Sequence, residues 1–228
     1  MTDAAAAPSA PGEGGGPPLL VGRGLHKRFG PVYAVRGVDF ALSADRYVTL
    51  GRALKQQGRF ADAKTAWLHA LDLLTEWNGG SQTRPARDQE WCDCANDLAW
   101  LLATVPDSDV RDPAVALELA AQATEVHPEC GTYWNTRGAA HYRAGDFEGA
   151  ITALERAVAL GDGGTGFDHV FLAMAYAQLG DQERAQHWLA EATLWMEHHD
   201  PGHAELLRLC EEARSILPAG ALTSAPVR

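Results

Sequence analysis

The fold is decided by residues Trp134–Ala157, which read WNTRGAAHYRAGDFEGAITALERA. In this stretch the small residue Gly138 precedes the large residue Leu154 by sixteen positions, and Gly145 divides the stretch into two halves. A glycine favours the positive φ that ends a helix, and an aspartate such as Asp146 caps the start of the next one. The stretch therefore predicts two antiparallel helices in which small residues let the backbones approach closely.

The same spacing occurs three times. A small residue follows twelve positions after Gly51, Gly138 or Ala173, a large one after sixteen and a second small one after nineteen. These following residues are Ala63, Trp67 and Ala70, then Ala150, Leu154 and Ala157, then Ala185, Leu189 and Ala192. One such helix pair cannot bury its own apolar face, so the pairs are expected to stack.

A fourth helix pair has an irregular turn. Ala95–Leu102 fits a first helix, and a turn longer than standard separates it from Asp112 and Pro113, an N-cap residue followed by a proline suited to the first helical position. A Gly-rich loop over Gly79–Pro85 is predicted before this pair. The predicted repeats and capping helix are residues 44–77, 92–128, 131–162 and 166–197, followed by 201–217.

The rest of the chain divides by composition. Thirteen of the first eighteen residues are Ala, Gly or Pro, which predicts a disordered tail over 1–18. Residues 19–42 read as a short β-like segment, with strands at Leu19–Val21 and Val38–Leu42 and a turn over His26–Pro31. The helical domain occupies 43–217, and 218–228 are predicted to be a flexible C-terminus.

Composition and charge exclude several classes of function. The chain has 228 residues and a formal net charge of −11, and this charge argues against nucleic acid or an anionic membrane surface as the main partner. No apolar run is long enough for a membrane-spanning helix, and no secretory signal is visible at the N-terminus. Four cysteines in a chain of this length do not suggest a disulfide framework, so a cytoplasmic location is expected.

The helical part resembles the tetratricopeptide repeat (TPR) family. The resemblance is carried by openings such as Tyr47–Gly51 and by the small–large–small close of each unit. Residues Asn96–Thr104, Tyr133–Thr136 and Ala140–Arg143 also look like a bacterial subgroup that is often fused to regulatory domains. The resemblance implies an all-α, right-handed solenoid that binds a peptide or partner segment in its concave groove, without enzymatic activity.

The first helix of each unit is expected to line that groove. The predicted groove residues are Arg52, Lys55, Asn96, Trp100, Asn135, Thr136, Tyr142, Arg143 and Met174. Amide, aromatic and cationic side chains of this kind suit an extended peptide or a partner helix, here one that carries some negative charge. Other carboxylates, including Glu211 and Glu212, are interpreted as solvated helix faces.

Residues 19–42 resemble the start of an ABC-transporter ATPase. Leu25–Gly30 and Val35–Phe40 match the first two strands of that family. The P-loop that would hold the phosphates does not follow, because the chain continues from Leu42 into a predicted helix. Two hypotheses therefore stand: a protein-binding TPR module, or a remnant or partner-completed ATP-binding protein, which equilibrium dialysis with ATP and Mg²⁺ would detect.

No metal, cofactor or catalytic site is predicted. Cys92 and Cys94 are spaced by one residue, and His198, His199 and His203 do not provide the paired spacing of a tetrahedral zinc site. There is no Gly-x-Ser-x-Gly motif and no Cys/His/Asn set that would support nucleophilic catalysis.

Overall fold

A computed structural model describes residues 20–29, 32–42, 44–76, 84–161 and 163–217. The predictions for 1–18 and 218–228, and most of the loop over Gly79–Pro85, concern residues outside these ranges. The chain divides into two compact units, Met1–Trp91 and Cys92–Arg228. No helix in the described ranges combines the length and the apolar character needed to span a membrane.

The first unit contains an antiparallel strand pair. Strand β1 covers Leu20–Phe29 and β2 covers Val32–Leu42, and their register runs from Leu20 opposite Leu42 to Phe29 opposite Val32. The turn predicted over His26–Pro31 is therefore too long. Aromatic and β-branched residues favour extended backbone, and the run after Pro31 contains several of them, so the ladder continues towards the turn. The ATPase-like character of this segment remains a prediction.

A helix pair follows in the same unit. Helix α1 covers Ala44–Gln56 and α2 covers Phe60–Glu76, and Gly58 adopts a φ of 73° between them. A Cβ at Gly51 would lie 2.6 Å from the indole of Trp67, which is buried. The glycine therefore lets α1 approach α2, as the sixteen-residue spacing predicts.

In its described residues the second unit consists of helices joined by turns. Helix α3 spans the boundary between the units, and six helices follow it. Their bounds are α3 Arg84–Thr104, α4 Pro113–Val126, α5 Gly131–Ala144, α6 Phe147–Leu160, α7 Gly166–Gln178, α8 Gln182–His199 and α9 Ala204–Ile216. Helix α3 begins eight residues before the predicted start at 92, because Pro85 is tolerated in the first turn of a helix. The predicted all-α array of helix pairs with a C-terminal helix is confirmed for the described residues.

The repeat spacing marks close helix contacts. A Cβ at Gly138 of α5 would lie 2.7 Å from Cδ2 of Leu154 in α6, and Leu154 is fully buried. Gly145 ends α5 with a φ of 83°, and the Asp146 side chain caps α6 by accepting the Gly149 N–H at 2.9 Å. The Asp146 carboxylate thereby satisfies a backbone N–H that the start of α6 would otherwise leave unpaired.

The first helices of the three pairs meet on one side of the second unit. Arg143 Nε of α5 donates to the Ala103 carbonyl of α3 at 3.1 Å, and α5 also packs against α7. The Trp100 ring of α3 approaches Phe171 of α7 edge-on, with the ring centroids 6.0 Å apart. We call this surface of α3, α5 and α7 the first-helix face. It is the side on which the sequence predicts the groove.

Candidate functional site

Helix α9 lies on the first-helix face as well as on the last helix pair. Its buried stripe recurs at helical spacing and consists of Leu206, Leu209, Cys210 and Ala213. The stripe packs α9 against α7 and α8. Gly166, the first residue of α7, leaves room for this contact, since a Cβ there would lie 2.8 Å from Leu206 Cδ2 and 2.8 Å from the Trp195 ring.

The N-terminal half of α9 forms polar contacts with α3. The Glu205 carboxylate accepts the Trp100 indole N–H at 3.0 Å and the Thr104 hydroxyl at 2.9 Å. Arg208, one turn later, donates to the Thr104 carbonyl at 2.7 Å. Trp100 is itself fixed by Phe167 of α7, whose ring meets it edge-on at 5.3 Å. Helix α9 therefore reaches from the last helix pair to α3, about a hundred residues earlier in the chain.

The C-terminal half of α9 is held by an arginine of α5. The Arg143 guanidinium donates through both terminal nitrogens to the Glu212 carboxylate, with Nη2 at 2.8 Å from Oε2. The Arg143 side chain is only 9% exposed and that of Glu212 29%, so water screens this pair poorly. Paired donors of this kind bind a carboxylate strongly and in one orientation. Arg143 also lies over the Phe171 ring, with its guanidinium carbon 5.6 Å from the centroid.

The electrostatics of the Glu212 carboxyl reflect two opposing effects. Burial by itself raises its pKa, but the hydrogen bond and charge of Arg143, with the charges of Arg208 and Arg111, hold the pKa below its ordinary value. Burial lowers the pKa of Arg111, and the nearby Arg143 lowers it further. Positive charge therefore converges on Glu212 from Arg143 of α5, Arg208 of α9 and Arg111 in the loop after α3, and Glu212 offsets it.

Two predicted groove residues lie at the contact with α9, and two others lie outside it. Trp100 and Arg143 bind α9 directly. Asn135 donates to Asp168 Oδ1 of α7 at 2.7 Å, so it links two first helices. Asn96 is half-buried, and its Oδ1 is buried without a hydrogen-bond partner.

The remaining predicted residues fall into two groups. Thr136, Tyr142 and Met174 are buried, and this corrects the expectation of side chains open to a partner. Tyr142 packs against Phe171 of the neighbouring first helix α7, with the ring centroids 5.8 Å apart. Arg52 is exposed and Lys55 half-buried, and both belong to the first unit.

Sequence reasoning missed the residues of α9 that hold it on the face. Glu212, interpreted as part of a solvated surface, is paired with Arg143, whereas its neighbour Glu211 is exposed. Glu205 and Glu212 are seven residues apart and therefore lie on one side of a helix, flanking its leucines. That seven-residue spacing is the signal that could have found them.

In the part of the chain that the structure describes, histidine, cysteine and carboxylate side chains do not assemble into a metal-binding site. Among those residues, no group of three or more His, Cys, Asp or Glu side chains could hold a metal ion. Cys92, Cys94 and Cys210 are buried, and burial raises the pKa of the Cys210 thiol, which makes it a weaker nucleophile.

Family models for the tetratricopeptide repeat match two parts of the chain, residues 108–165 and 169–195. No curated protein sequence matches the chain. The first match includes α4, α5 and α6, and the second covers most of α7 and α8.

Solved structures share this fold at low sequence identity. BtubC from P. vanneervenii is 18% identical, with 70% of this chain and 65% of that chain covered and a TM-score of 0.53. The MamA protein of AMB-1 is 20% identical, with 68% and 80% covered and a TM-score of 0.50. A thermophilic TPR protein of Thermus thermophilus is 18% identical, with 76% and 100% covered and a TM-score of 0.44. The two family-model matches show tetratricopeptide repeats in residues 108–165 and 169–195.

Proposed function

We propose that the chain is a non-enzymatic interaction module that binds a segment of another protein on the first-helix face. The repeats support the coarser part of this proposal, since proteins with tetratricopeptide repeats generally bind protein partners. The observation that carries the finer part is that the face already holds a helix, through Trp100, Thr104 and Arg143.

The side chains on the face suit an amphipathic ligand. Trp100 and Phe167 supply aromatic surface, and the Trp100 N–H and the Thr104 hydroxyl supply donors at its edge. Arg143 supplies a guanidinium that is preorganised by the Ala103 carbonyl. A helix laid into a groove is recognised by apolar anchors one turn apart and by charges beside them, and this face offers both kinds of contact. Arg52 and Lys55 lie in the first unit and remain proposed partner contacts of that unit.

Site-specific photo-crosslinking tests where a partner binds. The full chain carries p-benzoylphenylalanine either at Phe167, on the first-helix face, or at Leu194, a 48% exposed residue of α8. Each chain is irradiated in a lysate of its source cells, and crosslinked partners are identified by mass spectrometry. We expect a specific partner to crosslink from Phe167 and not from Leu194. Partners that crosslink only from Leu194 would place the binding surface on the second helices and refute the proposal.

A further inference from the structure

We propose that α9 is an intramolecular occupant of the first-helix face, and that a partner helix bearing two carboxylates seven residues apart binds there by displacing it. This inference rests on the proposed function, because it names the chemistry of the partner for the same face. Helix α9 would then compete with the partner for the first-helix face of its own chain.

On α3 and α5 of the face α9 is held by polar contacts, whereas on α7 it is held by its apolar stripe, which a partner must also replace. Glu205 and Glu212 accept four hydrogen bonds from α3 and α5, while the leucine stripe of α9 packs on α7 and α8. Arg208 adds one bond to the Thr104 carbonyl. Exchanging these hydrogen bonds for equivalent bonds from another ligand costs little net free energy, because each group has a partner before and after the exchange.

The face also dictates what must replace α9. Arg143 is nearly buried, and leaving its guanidinium without a carboxylate inside the fold is unfavourable. The Trp100 N–H likewise needs an acceptor, whereas the Thr104 hydroxyl also has the Trp100 carbonyl oxygen within reach at 2.8 Å. A ligand that lacks carboxylates at these two points cannot compete with α9. A ligand that carries them two helical turns apart, with leucines between, can accept the hydrogen bonds of Trp100 and Arg143 and fill the place of the apolar stripe.

A short turn connects α8 and α9, in which the His203 N–H donates to the Asp200 carbonyl at 3.2 Å. Residues 200–203 join the two helices, and a Cβ at Gly202 would have only Asp200 Oδ1 nearby, at 3.9 Å. Helix α9 carries its own N-cap, because His203 Nδ1 accepts the Leu206 N–H at 3.3 Å. The tether keeps α9 at a high effective concentration, so a partner must overcome this competition.

A peptide titration tests the inference on the full chain. The probe is a fluorescent peptide of residues 200–217, added under reducing conditions and followed by fluorescence anisotropy. Glu205→Gln and Glu212→Gln together are designed to release α9 from the first-helix face, and we call this double variant the opened chain. Glu211→Gln, at an exposed position on the same helix, is the matched control. Far-ultraviolet circular dichroism verifies that each variant is folded.

We expect the peptide to bind the opened chain at least tenfold more tightly than the wild-type or Glu211→Gln chain. Adding Arg143→Gln to the opened chain weakens binding at least tenfold. Adding Arg137→Gln does not, because Arg137 of α5 donates to Thr124 on α4 instead. A peptide that itself carries Gln at both positions binds the opened chain at least tenfold more weakly than the native peptide.

Three outcomes would overturn the inference. The first is equal affinity for the opened and wild-type chains, and the second is binding that ignores the glutamates of the peptide. The third is an opened chain that forms dimers which exclude the peptide, since α9 would then belong to a second copy. If the opened chain does not fold, hydrogen exchange on the wild-type chain decides: excess peptide must accelerate exchange in α9, and unchanged rates reject displacement. Crosslinking only from Leu194 would refute the proposed function while leaving these readouts intact.

Discussion

Replacing Gly138 by alanine tests whether the repeat spacing reports the packing of α5 on α6. The added Cβ would lie 2.7 Å from Leu154 Cδ2, closer still to Leu154 Cγ, and 3.3 Å from the Ala150 carbonyl oxygen. Leu154 is fully buried and cannot rotate into solvent, so one of the two helices must shift.

Two opposing effects set the size of the change. Alanine is favoured over glycine inside a helix by about 1 kcal/mol. Overpacking a well-packed core costs about 1–3 kcal/mol. The net result for Gly138→Ala is a destabilisation of up to about 2 kcal/mol. In a chain that carries Leu154→Ala, only the 3.3 Å approach to the Ala150 carbonyl oxygen remains, so the same substitution costs less, and at most it stabilises by about 1 kcal/mol.

The assay is urea unfolding of the four chains of this double-mutant cycle, followed by circular dichroism. Leu154→Ala alone lowers the free energy of unfolding by about 2–5 kcal/mol, because it leaves a cavity. The decisive observation is that Gly138→Ala destabilises the wild-type background more than the Leu154→Ala background. Equal effects in both backgrounds would refute the claim that Gly138 and Leu154 are in close contact.

Three further predictions concern the caps and the α9 contacts. Removing the N-cap of α6 by Asp146→Ala should lower the free energy of unfolding by about 1 kcal/mol in a urea titration, and no change would contradict the cap. The pKa of Glu212 is lowered in the folded chain, so its pairing with Arg143 stabilises α9 fully at pH values above the ordinary glutamate pKa of about 4.3. This stabilisation is lost as the pH falls through the lowered pKa of Glu212. Hydrogen exchange in α9 should therefore accelerate below about pH 4, after correction for intrinsic rates, and less so in a Glu212→Gln chain. Trp100→Phe keeps an aromatic ring but loses the bond to Glu205, and it should weaken α9 by about 1–3 kcal/mol of local opening free energy, measured by the same exchange.

The helix pairs could be predicted from the sequence because their determinants are local and periodic. Gly51 with Trp67, and Gly138 with Leu154, are each sixteen residues apart and meet across a single turn. The Asp146 cap likewise needs only its own neighbours. Such patterns repeat along the chain, so one unit supports the interpretation of the next.

The position of α9 could not be predicted in the same way. Arg143 and Glu212 are 69 residues apart, and Trp100 and Glu205 are 105 apart, so no period relates them. The sequence predicts a capping helix on the last pair, and the apolar stripe of α9 does pack there. Its reach to α3 depends on the stacking of three helix pairs, which the sequence of any one pair does not encode.

Glu205 and Glu212 are the two glutamates that hold α9 on α3 and α5 of the first-helix face. The most direct test is hydrogen exchange of the α9 amides in the wild-type, Glu212→Gln and Glu211→Gln chains at neutral pH. We expect faster exchange across α9 in the Glu212→Gln chain but not in the Glu211→Gln chain, with the amides of α5 and α6 unchanged in both. Identical α9 exchange in Glu212→Gln and Glu211→Gln would contradict it, because the exposed and the inward glutamate would then be equivalent.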